Sequence, residues 1–434
     1  MEAESKMVKS QADFRDFPDG YRLTELGPLP EEWRVVRLGE VVEEIVERVS
    51  DSKDLTAQSL PVLSLTKNEG LILQTERFNK RIATEDVSSY KIVRRGQIVY
   101  NPYVIWEGAI HILRKYEAGL VSPVYPVLKA KEMVADPYYL DAWLRTPSAI
   151  AAYNRFAAGA VNRRRAIRKR DFWEIKIPLP PLPEQRAIAH VLRAVQEAKE
   201  ATERVIAAAR ELKKSLMRHL FTYGPVPVDQ ADAVEMQETE LGPLPAHWRV
   251  VKLGEVVGMK QGMVLPTKKF TASGFPVYGA NGQIGWYSEY THEDSEVLVT
   301  CRGATCGTVN VTPPRAFITN NAMVVTPKRS KRLSKSYLAY ALMNSDLSST
   351  VTGTGQPQIT KATLSLYPIP LPPVSEQREI ARMLQAVHEK IRAEEGRKQA
   401  LEALFKTLLH DLMTAKRRLP KEFIAQFNEG DGHE

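Results

Sequence analysis

The chain carries one framework twice. Thr24 to Val42 reads TELGPLPEEWRVVRLGEVV and Thr239 to Val257 reads TELGPLPAHWRVVKLGEVV, so that only Glu31/Ala246, Glu32/His247 and Arg37/Lys252 differ. A second pair follows: Ile177 to Val195 is IPLPPLPEQRAIAHVLRAV and Ile369 to Val387 is IPLPPVSEQREIARMLQAV. The first pair is offset by 215 residues and the second by 192, so the enclosed interiors differ by 23 residues, and they differ far more in sequence. Near-identical flanks around divergent centres imply two modules of one architecture whose middles were specialised separately.

Each interior reads as short strands and turns with a helix near its end. Gln97–Tyr100 and Val297–Thr300 are apolar runs of strand length, followed by strand-like Ala109–Leu113 and Thr308–Val311. Pro137–Asn154 and Ser334–Leu347 are helical candidates, and the predicted class is α+β.

After each IPLPP stretch the period changes to that of a helix. Proline suits a first turn, so Pro183-Glu184 and Ser375-Glu376 read as helix starts, with Ser375 as a cap. Apolar or small residues then recur at spacings of three and four, through Ile188, Leu192, Ile206 and Leu220 in one helix and Ile380, Leu384, Ile391 and Leu412 in the other. That is the seam of a coiled coil. Each rod is expected to run roughly 35 residues, about 50 Å, and the two to pair antiparallel and hold the modules apart. The expected organisation is an arm at 1–22, a module at 23–176, a helix at 177–222, a linker at 223–238, a module at 239–368, a helix at 369–415 and a frayed tail at 416–434.

Charge gives the partner class. Sixty Lys and Arg against 52 Asp and Glu leave +8, which favours a polyanion. Arg163, Arg164, Arg165, Arg168, Lys169 and Arg170 form one run, and the second module has Gly353–Gln358 at the same place. Such a run reads either as a solvated face or as a base-reading loop. Arginine pairs bidentately with guanine and glutamine with adenine, so exchanging one for the other between fixed flanks suits the second reading. Candidate DNA contacts are therefore this run with Tyr103, Lys268, Lys269, Arg302, Gln356, Gln358 and Lys361.

Little in the chain suggests chemistry. Asn101-Pro102-Tyr103 resembles part of an adenine methyltransferase loop, but it lacks the second proline, and the second module has Cys301-Arg302-Gly303 there. No phosphate-binding glycine loop, zinc spacing or carboxylate cluster appears. Cys301 and Cys306, too few for a disulfide framework, point to a reducing cytoplasm. No run is apolar for the ~18 residues of a membrane helix. Two further readings stand beside DNA recognition: a protein-binding coiled-coil scaffold, and an adenine methyltransferase.

G-Y-x-x-T-E-x-G-P-L-P-x-x-W from Gly20 to Trp33, repeated from Thr24 onward at Thr239, with the repeated IPLPP-x-x-EQ-x-x-IA opening each long helix, resembles the specificity subunits of type I restriction-modification systems. Val277 to Gly285 (VYGANGQIG) and Thr319-Asn320-Asn321-Ala322 resemble their target-recognition domains. The resemblance implies two such domains joined by two long antiparallel helices, a pseudo-two-fold repeat, each domain reading half of an asymmetric bipartite duplex DNA site. It implies no catalysis and no cofactor in this chain. Two modification subunits bring S-adenosylmethionine, and restriction subunits that use ATP and Mg are further partners. Candidate partner-facing and spacer residues are Glu184, Gln185, Ile188, Leu192, Glu376, Gln377, Ile380 and Leu384.

Overall fold

A computed structural model describes residues 19–52, 59–78, 86–156, 166–329, 332–353 and 355–428. The chain divides into two compact units, one of residues 1–201 with 398–434 and the other of residues 202–397. The fold is α+β, and each unit contains one mixed module.

The repeated segments build the same frame in each unit. In the first, Tyr21–Thr24 pairs antiparallel with Gly27–Pro30, and Arg34–Arg37 with Lys176–Leu179. In the second, Met236–Thr239 pairs with Gly242–Pro245, and Arg249–Lys252 with Pro368–Leu371. Gly27 and Gly242 close their hairpins at φ +100° and +91°, a region that L side chains disfavour. These first strands run across the boundaries expected at 22/23 and 238/239, because each is the hydrogen-bonded half of a hairpin.

The interiors share a four-stranded antiparallel sheet. Its order is Val42–Ile45, Val127–Ala130, Ile98–Tyr100, Ile110–Ile112 in one module. In the other it is Val257–Gln261, Ala322–Pro327, Val297–Thr300, Val309–Val311. The expected helix Pro137–Asn154 is two helices, Pro137–Leu144 and Pro147–Phe156, because the second proline cannot continue the first. Asp136 caps the first of these, accepting from the amides of Tyr138 and Tyr139, as Ser334 caps Lys335–Met343.

The long helices are Leu182–Tyr223 and Val374–Met413. At 42 and 40 residues they span about 63 and 60 Å, longer than the expected 35-residue rods, because the apolar seam continues through both frame ends. Helix already includes Leu182 and Val374, so Ser375 lies inside the first turn rather than at the cap. Within the second unit, Leu216, Met217, Leu220 and Phe221 pack with Ile380, Ala381, Met383 and Leu384, while Arg210 reaches Glu395 at 2.6 Å. Later residues of one helix therefore meet earlier residues of the other, and the pair is antiparallel there. In the first unit Ile188, Ala189 and Leu192 share a core with Leu412, Met413 and Ala415.

The tail is not frayed where it is described. Arg418 is ion-paired with Glu32 and Glu184. The Lys421–Ala425 helix sets Phe423 against His190, which Phe427 also meets, and the Tyr21 hydroxyl donates to the Ala415 carbonyl at 2.6 Å.

Candidate nucleic-acid interface

The EQ dipeptide that opens each long helix explains how the frame is locked. The Trp33 indole N–H donates to Glu184 Oε2 at 2.9 Å, and the Trp248 indole to Glu376 Oε2 at 2.8 Å. Gln185 accepts from the Asp136 amide and donates to the Pro180 carbonyl. Gln377 does the same with the Ser334 amide and the Pro372 carbonyl. Tyr139 and Tyr337 donate from their hydroxyls to the carbonyls of Pro178 and Pro370. Glu184, Gln185, Ile188, Leu192, Gln377, Ile380 and Leu384 are buried and Glu376 is half-buried. The residues expected to face partners thus point into the modules, where their polar atoms hold strand, cap and helix together.

With the frame fixed, two loops meet at the same place in each module. The Ile167 amide donates to the Pro102 carbonyl at 3.3 Å, and the Ile359 amide to the Cys301 carbonyl at 3.0 Å. This contact brings the loop after the third sheet strand beside the segment before a short helix. In the first module it gathers Tyr103, which is 47% exposed, and exposed Arg168. In the second, Arg302 and Gln358 form an antiparallel bridge, the Gly303 amide donates to the Pro357 carbonyl, and Arg302, Gln356 and Gln358 are exposed.

Lys169 and Lys361 open the equivalent helices Lys169–Trp173 and Lys361–Ser365. Lys361 is exposed, whereas Lys169 is held 2.5 Å from Glu44 Oε2 and lies over the Trp173 ring. Glu44 also faces buried Lys91. Burial pushes the Lys91 ammonium below its ordinary range, and the Glu44 carboxylate opposes that. The anchoring role of Glu44 left no sequence signal, since the two lysines are 78 positions apart.

Arg170 stays exposed beside Asp171. Lys268 and Lys269 are exposed on the turn Thr267–Lys269, which leads into the Thr271–Trp286 bridge. Arg163, Arg164 and Arg165 lie outside the described residues. Asn101 accepts from the Tyr103 amide in a local turn and donates to the Tyr125 hydroxyl, which gives the asparagine a structural role there. Among the described residues, no helix is long and apolar enough to cross a membrane.

The family described as the type I restriction modification DNA specificity domain matches residues 151–209 and 245–403, half of the chain. The protein belongs to that family. The type I restriction enzyme MjaVIII specificity subunit of Methanocaldococcus jannaschii is 25% identical over 428 residues, covering 90% of this chain and 94% of its own. The crystal structure of the S subunit of a type I restriction-modification system from M. genitalium superposes with a TM-score of 0.61 at 18% identity, covering 88% of this chain and 96% of that one. That likeness is one of fold.

Proposed function

We propose that the chain is the non-catalytic, cytoplasmic recognition subunit of a type I restriction-modification complex, each module reading one half of an asymmetric duplex DNA site. The observation that carries this reading is the pair of equivalent loop junctions. One frame presents Tyr103 and Arg168 in the first module and Arg302 and Gln358 in the second. Arginine and glutamine select different bases in the major groove, so unlike modules read unlike half-sites. Lys268, Lys269 and Lys361, with the Arg163–Arg165 run, supply phosphate contacts that fix register. The long helices, each exceeding the ~34 Å of one duplex turn, set the number of unread base pairs and offer their outer faces to two modification subunits. Those subunits bring S-adenosylmethionine, and restriction subunits bring ATP and Mg.

The test is to map methylated adenines in host DNA with the gene present and deleted. One gapped motif with two unlike halves, lost on deletion, is expected. An unchanged pattern with the partner subunits expressed would replace this reading by that of a protein-binding scaffold.

A further inference from the structure

A hairpin turn stands at the same place in both modules although the two turns share no recognisable sequence. In the second module, Phe275–Gly279 pairs with Gly282–Tyr287, leaving Ala280 and Asn281 at the tip. In the first, Leu63–Leu65 pairs with Leu71–Leu73 around Thr66–Gly70. Each turn rests on the middle residue of the outermost strand of its four-stranded sheet. A Cβ on Gly282 would stand 3.3 Å from Asn310 Oδ1, and one on Gly70 would stand 3.6 Å from the His111 ring. His111 pairs with Val99 and Asn310 with Leu298 in the ladders, so the two are structural counterparts. The strands carrying Val99 and Leu298 lead directly into Tyr103 and Arg302.

Both turns are fastened through main-chain atoms. The Lys67 carbonyl lies 3.0 Å from His111 Nε2. The Ala280 carbonyl accepts from the Thr300 hydroxyl at 3.0 Å and from the Thr305 hydroxyl, residues that bracket Arg302. Gly70 and Gly282 adopt φ of +76° and +73°. Such fixing leaves the tip side chains outward: Lys67, Asn68, Glu69, Asn281 and Gln283 are all exposed. None of the five has a side-chain hydrogen bond or ion pair among the described residues. Their amide, carboxylate and ammonium groups are the ones that pair with adenine, cytosine and guanine edges.

We infer that this turn is a second base-reading element in each module, with Lys67, Asn68 and Glu69 in the first and Asn281 and Gln283 in the second. The inference rests on the function proposed above and adds residues that read the half-sites. A held backbone with unengaged polar tips is what direct readout needs, since a side chain already paired within the protein has nothing to offer a base.

The experiment uses the full chain expressed with its modification subunits, and reads the methylated motif and the methylation rate for wild type, N68A and N281A. N281A is expected to relax one position in one half-site and to slow methylation of the original motif by about 5- to 150-fold, the discrimination of one bidentate pair. N68A is expected to do so only in the other half-site. If N281A does not assemble, N281D gives the same reading. Unchanged motif and rate in both variants overturns the inference, and so does a uniform loss of methylation with base preference intact, which would mark the turn as structural. Absence of any gapped motif in wild type overturns the proposed function itself.

Discussion

Arg418 grips Glu184 with both arms of its guanidinium: Nε donates to Oε1 at 2.8 Å and Nη2 to Oε2 at 2.9 Å. The carboxylate is almost fully buried and also takes the Trp33 indole N–H. The second module closes the equivalent Glu376 with His247 at 2.7 Å and Trp248. Duplication has kept the acid and the indole while the third side chain on the carboxylate comes from a different part of the chain.

Removing Arg418 leaves a buried carboxylate with one neutral donor. Arg418→Ala is expected to destabilise the first unit by about 2 kcal/mol or more, read as a shift of the urea midpoint. Glu32, whose carboxyl is held below its ordinary range because its own backbone amide and Arg418 outweigh burial, should then return toward that range by NMR titration. An unchanged midpoint would show that Trp33 alone satisfies Glu184.

The His111 imidazole is held down to about 4, first by burial and then by the Arg145 charge, with Asp141 opposing. Its Nε2 faces the Lys67 carbonyl, which only accepts, so the neutral ring carries its proton there. In the unfolded chain the ring titrates near ~6.5. Between those values the unfolded state binds the extra proton, so stability falls as pH drops from about 6.5 to 4, by at most about 3 kcal/mol. Asp141, depressed by Arg145 against the cost of burial, extends the loss below pH ~4. His111→Asn, the residue found at Asn310, should flatten the profile above pH 4 when denaturant midpoints are compared at pH 7 and 4.5. A parallel decline in both proteins would sink the assignment.

Tyr139 and Tyr337 make the same buried bond, at 2.8 and 2.9 Å to the Pro178 and Pro370 carbonyls. Tyr139→Phe and Tyr337→Phe should each cost about 1 kcal/mol, the first in unit one and the second in unit two, by calorimetry. Unequal losses would mean that the two frames carry unequal strain.

Phosphate binding appears in the salt dependence of DNA affinity. Lys361→Ala, and separately the double variant Lys268→Ala with Lys269→Ala, should each lower the slope of log affinity against log salt, by about 0.9 for every phosphate no longer neutralised. Lys169→Ala should lower it less, because Glu44 already pairs with that ammonium. Fluorescence anisotropy on the gapped duplex reads all three, and equal slopes would return these residues to ordinary surface.

The frame was legible because it was written twice, and its strands, caps and helices follow from proline, glycine and apolar spacing. The helix starts were legible to within one residue from Pro183 and Ser375, the helices beginning at Leu182 and Val374. The docked tail was invisible because Arg418 finds Glu184 across 234 residues. Of the candidate site, Arg302 and Gln358 are joined by a bridge that nothing in their spacing of 56 positions signalled. The first module's hairpin turn escaped notice because its match to Ala280–Asn281 lies in packing on His111 and Asn310, not in shared letters.

The first unit draws on residues 1–201 and 398–434, the second only on 202–397. During synthesis the second unit has all its chain while Trp33, already made, still waits for Leu412, Met413 and Ala415 to complete its core. The half begun first is thus finished last. A chain cut after residue 397 would hold one module with all its chain and one with an open apolar face, an aggregation-prone species.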